Sequence, residues 1–291
     1  MREPLFSIII YCKNEGEHIR HTLNSIKENS GNVSYELIVV DDASDDGCCD
    51  FLRNGEDEEV LLVTLQGDHA GRARNTGAEH AGGDIFVFCD AHIFAAKDWL
   101  EKLAGTLEVP GIDAVSPCLM PHDDRGPAWG GFSWEANMTL RWLSVPEGLT
   151  PVPVLPRGCL AVTGEAFNAV GGFEEGLRKS AYENVEFTMK LWLLGFGAYI
   201  NPDVTVRHIF RSAGPLPDRP ADIHYNLLRM ALLHFNQNRL GKIIGLIKNN
   251  SYFPEIFTDV ILSDALGQRK AYFGRRVYDD DWFVQKFNIS L

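Results

Sequence analysis

Three short apolar runs open the chain, at residues 6–11, 36–40 and 85–89, each rich in Val, Ile or Phe. None is long enough for a helix, and unbroken runs of this kind suit strands of a parallel sheet buried on both faces. Between the first two, residues 14–29 carry Ile19, Leu23 and Ile26 at helical spacing. Between the second and third lie a short strand at 60–65 and a helix of small residues at 71–81. The alternation of strand and helix predicts an α/β domain with right-handed crossovers.

Beyond Asp90 the pattern loosens. Residues 98–107 read as a helix, 114–119 and 158–163 as strands, and 166–170 as a short helix. Residues 183–194 read as an amphipathic helix with Phe187, Leu191 and Leu194 in register. Residues 121–157 are rich in Pro, Gly and Trp and show no period, and so long an irregular stretch is more often functional than idle. Residues 221–248 supply one or two further helices, whereas 263–291 mix charges and aromatics without a readable pattern. The expected organisation is a main domain over 1–235, its halves at about 1–92 and 93–220, with a helical or irregular extension at 236–291 packed on it.

Charge narrows the chemistry. The 291 residues hold 27 Lys and Arg against 40 Asp and Glu, a net charge of −13, which makes nucleic acid or an anionic membrane surface a poor partner. A phosphorylated ligand would need a metal or local arginines to supply positive charge. Hydrophobic residues at 45% and charged residues at 23% are those of a globular chain. No apolar stretch approaches the ~18 residues of a membrane-spanning helix, and Met1 to Phe6 lack the pattern of a leader. The six cysteines show neither zinc-site spacing nor a disulfide framework, and several sit in apolar runs as small buried hydrophobes. A soluble, cytoplasmic protein is expected.

Two strand ends carry candidate chemistry. Val39-Val40-Asp41-Asp42 places two carboxylates at the edge where ligands of open α/β sheets bind, although such a pair also caps a following helix. Phe88-Cys89-Asp90-Ala91-His92 puts Asp90 and His92 two apart in an extended segment, hence on one side. A carboxylate oxygen with an imidazole suits a divalent ion such as Mn²⁺, and His208, after another strand-like segment, offers a third ligand. A turn-capping Asp beside a surface His is the plainer alternative.

The order strand, Asp-Asp, strand, Asp-x-His resembles nucleotide-diphospho-sugar glycosyltransferases of the GT-A fold, and Asp90-Ala91-His92 is similar to the variant of the polypeptide N-acetylgalactosaminyltransferases. Gly130-Gly131-Phe132-Ser133-Trp134 resembles that family's Gly-Gly-Phe-Asp-Trp. Glu183-Asn184-Val185-Glu186, after the strand at Arg157-Gly158-Cys159-Leu160, resembles its Glu-Asn-x-Glu, and His208-Ile209-Phe210-Arg211 its His-Val/Ile-Phe-Arg. The likeness runs from about Phe6 to about Phe235 and implies a mostly parallel, Rossmann-like sheet flanked by helices, with the nucleotide-binding half at 1–92 and the sugar and acceptor half at 93–220.

It further implies a UDP-sugar donor, Mn²⁺ or Mg²⁺ on Asp90, His92 and His208, and a phosphate contact from Arg211. Tyr11 and Asp42, helped by Asp41, match positions that hold uracil and ribose. Arg74 matches the arginine that steadies the nucleotide, with Arg72 as its rival on the same helix. Glu183, Asn184 and Glu186 stand where the sugar is contacted and catalysis is supported. Of Trp129, Trp134 and Trp142, at least one is expected to line the donor or acceptor site, Trp134 being taken as a donor contact. The segment 212–217 is a candidate lid.

The family's anchor, stem, lectin domain and paired disulfides find no counterpart in these 291 residues, so a stripped catalytic domain is expected, with a peptide, protein or glycan acceptor. Asn184 replaces the carboxylate base of inverting family-2 enzymes, favouring retention. An inverting family-2 enzyme building a polysaccharide or lipid-linked glycan is the alternative within enzymes, and a non-catalytic sugar-nucleotide or glycan-binding module the alternative of another class.

Overall fold

The computed structural model describes residues 5–67, 69–179, 182–211 and 219–291. The candidate lid at 212–217 therefore lies outside the described residues. The chain runs β1 (Phe6–Cys12), α1 (His18–Asn29), β2 (Tyr35–Asp42), α2 (Asp50–Arg53), β3 (Val60–Leu65), α3 (Ala70–Glu79), β4 (Ile85–Asp90), β5 (Ile93–Phe94) and α4 (Trp99–Leu107). It continues through β6 (Ala114–Pro121), β7 (Trp129–Trp134), β8 (Leu140–Ser144), β9 (Thr150–Pro151), β10 (Cys159–Thr163), α5 (Gly164–Val170), α6 (Glu183–Leu193) and β11 (Ala198–His208). The helices α7 (Pro220–His234), α8 (Gln237–Ile247), α9 (Phe253–Leu262), α10 (Ala265–Arg275) and α11 (Asp280–Lys286) complete it.

The sheet runs β3-β2-β1-β4-β10-β6-β11-β5. Its first four strands are parallel, and β10 enters antiparallel beside β4. Strand β11 lies parallel to β6. This is the mixed α/β sheet of the GT-A fold. The small residues of α3 have a packing reason: a Cβ on Gly77 would lie 2.3 Å from the Ile9 side chain, so only glycine lets the helix close onto β1.

Two sequence expectations need correction. The aperiodic stretch 121–157 contains the hairpin β7–β8, paired from Trp129 opposite Ser144 to Trp134 opposite Leu140. A register shift between Trp129 and Phe132, at Gly130-Gly131, breaks the strict alternation that would have revealed it. Helix α6, expected to be amphipathic, is buried along all of its length. Helix α7 and the extension's α11 explain this, since they cover the side that would otherwise meet water. Helices α8 to α11 share one apolar core with α6, through Ile243, Ile256, Val260, Ala265 and Phe283. Buried Arg229 of α7 ties this layer together, donating to Glu174 at 2.7 Å and to Asp264 at 2.6 Å.

Candidate metal and nucleotide site

The sheet register delivers the functional side chains to one edge. Tyr11 lies opposite both Val40 and Asp90, and Cys159 opposite Cys89, so the ends of β1, β2 and β4 and the start of β10 meet there. β11 ends with His208 opposite Ile93, and the Ile209 amide donates to the His92 carbonyl at 3.1 Å. This pairing makes a cluster from residues more than a hundred positions apart.

Asp90, His92 and His208 each turn a ligand atom into a space less than 4.8 Å across, and all three are buried. Nε2 of His208 lies 3.2 Å from Oδ2 of Asp90, and the two imidazole centroids are 4.6 Å apart. Burial pushes the His208 pKa down against the pull of Asp90, favouring the neutral, ligating ring. Burial alone would raise Asp90, but Arg157, His208, His92 and Arg74 together hold it well below the usual carboxylate range. Nδ1 of His92 meets Oε2 of Glu15 at 3.0 Å, which orients the ring and leaves Nε2 for a metal. Nδ1 of His208 is buried without a hydrogen-bond partner among the described residues. The donor set is that of a hard divalent cation. A Cβ on Gly158 would come within 2.7 Å of the His208 ring, so glycine is needed for His208 to approach.

Arg74 organises the site from beneath. It donates to Oε1 of Glu183 at 3.0 Å and to Oδ1 of Asp90 at 3.1 Å, and it is 1% exposed. Arg157 stands at the rim, its Nε 3.5 Å from Asp90 and 3.9 Å from Glu183. Tyr11 donates to Asp42 at 3.3 Å, and burial followed by that carboxylate raises its pKa far above the ordinary phenol value. Lys13 reaches the carbonyl of Asp42 at 2.8 Å. Arg211 is paired with Glu15, the same carboxylate that orients His92. Oε2 of Glu183 is buried and finds no partner among the described residues.

Several sequence-nominated residues go elsewhere. Asp41 alternates to the opposite face from Asp42, where it pairs with Arg53 and accepts the Ser44 amide at 3.0 Å. Arg72 is exposed on α3, two residues and about 200° around the helix from the buried Arg74. Asn184 donates to the Leu155 carbonyl at 2.7 Å and thereby braces the β9–β10 connection. Glu186, one turn further into α6, faces His234 at 2.7 Å and Lys190 at 3.2 Å, in the layer under α7 and α10. Trp134 is core, packed against Phe283 at 5.7 Å.

Trp142 and Trp129, by contrast, stack at 5.7 Å, and Trp142 continues to Phe210, which sits 4.7 Å from the His208 ring. Sequence reading missed Glu15 and the role of Arg157. The signals were slight: a glutamate in a loop after a strand, and an arginine quoted only as the start of a glycine-bearing strand.

A GT-A sheet with this cluster at its carboxyl edge defines a nucleotide-sugar transferase type of architecture. The chain belongs to glycosyl transferase family 2, whose sequence profile matches residues 7–159. Polypeptide N-acetylgalactosaminyltransferase 11 of Xenopus tropicalis is 29% identical over 258 residues, covering 78% of this chain and 42% of that protein. The chain therefore spans about two fifths of that relative's length. Among solved structures, GalNAc-T7 with UDP, GalNAc and Mn²⁺ superposes with TM-score 0.76 at 18% identity, over 99% of this chain and 57% of the other. The mannosyltransferase PcManGT from Pyrobaculum calidifontis, in complex with GDP-Man and Mn²⁺, gives 0.56 at 20% identity, over 94% and 75%.

Proposed function

We propose that the protein transfers a sugar (GalNAc, GlcNAc or a related hexose) from a UDP-sugar to a peptide, protein or glycan hydroxyl, using a divalent cation and retaining the anomeric configuration. The observation that carries this reading is the buried Asp90–His92–His208 cluster beside Tyr11 and Asp42. The relatives' names, and the Mn²⁺ in both structural neighbours, support the same reading.

Asp90, His92 and His208 would hold Mn²⁺ or Mg²⁺, which when bound supplies Lewis-acid neutralisation of the diphosphate as the sugar leaves. Glu15 keeps His92 oriented, and Gly158 leaves room for His208. Tyr11 and Asp42 take the nucleoside end. Arg74 holds Asp90 and Glu183 at fixed separation, so neither has to reorganise when the donor arrives. Glu183 turns its Oε2, which has no partner among the described residues, to a sugar hydroxyl. Arg211, paired with the buried Glu15 that also orients His92, takes a phosphate oxygen. Trp129 and Trp142, linked to the His208 ring through Phe210, offer aromatic faces for a sugar or acceptor.

A cytoplasmic location belongs to this reading. The six cysteines stand as buried free thiols, the form that reducing compartments keep.

Calorimetry of UDP binding, with and without Mn²⁺, tests the core of the reading. UDP is expected to bind only with the cation, and EDTA to abolish UDP release from a panel of UDP-sugars. Equal UDP affinity in both conditions would overturn it.

A further inference from the structure

We infer that Cys12, Cys48 and Cys49 form a three-thiolate site for a thiophilic cation of the zinc type, separate from the Asp90–His92–His208 cluster. The sequence spacing hides it, because Cys12 ends β1 while Cys48 and Cys49 precede α2. The parallel pairing of β1 with β2, which sets Cys12 opposite Asp41, brings the two segments together. The three sulfurs form a closed triangle with edges of 3.5, 3.6 and 3.8 Å. A tetrahedral zinc with Zn–S of about 2.3 Å spaces its sulfurs about 3.8 Å apart, so the triangle is already close to ligand spacing. A disulfide needs about 2.05 Å and joins only two of the three.

Packing alone does not ask for this arrangement. Cys118 serves as an isolated buried filler, and Cys89 with Cys159 makes a single contact at 3.9 Å. Only the three-sulfur group converges on one point. Cys12 and Cys49 are fully buried, and Cys48 keeps 7% exposure, so solvent can fill a fourth coordination position on its side. Cation binding converts the three thiols to thiolates and releases their protons to solvent. Three thiolates and a dication sum to one negative charge. Asp41 faces the group and is paired with Arg53, whose guanidinium also feels Cys49. The bound ion would tie the end of β1, which carries Tyr11, to the β2–α2 loop, which follows directly on Asp42.

The full-length reduced protein, with Mn²⁺ present to saturate the other cluster, is titrated with Cd²⁺ while sulfur-to-metal charge-transfer absorption is followed in the ultraviolet. One ion per chain is expected. Cys48→Ser and Cys49→Ser each lose the band or weaken binding by more than about 100-fold, and Cys118→Ser retains it. X-ray absorption of the zinc-loaded wild-type protein needs no variant and is expected to show three sulfurs at about 2.3 Å. No charge-transfer band, a band that survives in both serine variants, or a zinc shell of nitrogen and oxygen alone would overturn the inference. So would loss of two hydrogens by mass in place of zinc uptake, which would make the group a redox pair.

Discussion

At the scale of single residues, Arg74 does the most with the least freedom. One guanidinium bridges two buried carboxylates, Asp90 and Glu183, so part of their charge is offset and one negative charge is left over for a bound cation to meet. His208 is the complementary case, a neutral imidazole whose position depends on the missing side chain at Gly158. Replacing His208 with Ala should cut activity by more than ~10²-fold while circular dichroism stays native, because one ligand goes and the strand remains. Gly158→Ala should act through the same ring. Its Cβ would sit 2.7 Å from Cδ2 and 3.1 Å from Nε2 of His208, so the imidazole must tilt. Mn²⁺ affinity, read by paramagnetic resonance of the free ion, should fall by at least about 10-fold. An unchanged affinity would mean that the ring is not the ligand.

At the scale of elements, helix α6 shows what periodicity can and cannot report. Phe187, Leu191 and Leu194 mark a helix correctly, but the same spacing says nothing of a second layer on the far side. That layer comes from α7 to α11, whose contacts with α6 join residues far apart in the chain. The parallel strands and the Asp90, His92 and His208 motifs were legible because strand ends and rare residue types are local signals. Glu15, Arg157 and the three-thiol group were not, because only pairing in space gives those residues neighbours. Glu186 was read as functional from its motif, yet its partners Lys190 and His234 make it a buried ion pair that docks α6 to α7.

Burial raises the Glu186 pKa, but Lys190 and His234 more than offset it, leaving the net value below the ordinary 4.5. A depressed folded pKa stabilises above the unfolded value and is lost as pH falls through the folded one. Wild-type stability should therefore drop on acidification below about pH 4.5, with a shallower acid limb in Glu186→Gln. Lys190→Met, which strands the carboxylate, should cost about 3–5 kcal/mol in urea unfolding near neutral pH. Identical acid limbs for wild type and Glu186→Gln would show that the pair does not contribute.

At the scale of the whole molecule, a chain of net charge −13 repels the diphosphate it is proposed to bind, so its positive charge has to be concentrated at the site. Arg74 and Arg157 are engaged by carboxylates and Arg211 by Glu15, which leaves the proposed cation as the main counter-charge for the leaving group. That architecture bears on stereochemistry. Inversion needs a base opposite the leaving group and within hydrogen-bond reach of the acceptor proton. Asn184 is an amide and is spent on the Leu155 carbonyl, and Glu186 is packed behind α6. Of the Glu183-Asn184-Val185-Glu186 segment, only Glu183 faces the cluster, and Arg74 holds it there at 3.0 Å. A front-face reaction asks less of the protein, because the departing phosphate oxygen itself takes the acceptor proton. An α-linked UDP-sugar should accordingly give an α-linked product, and Asn184→Asp should bring no gain in rate. The anomeric proton coupling in the product's NMR spectrum decides the matter: a β-linked product would reject retention and make Glu183 the base.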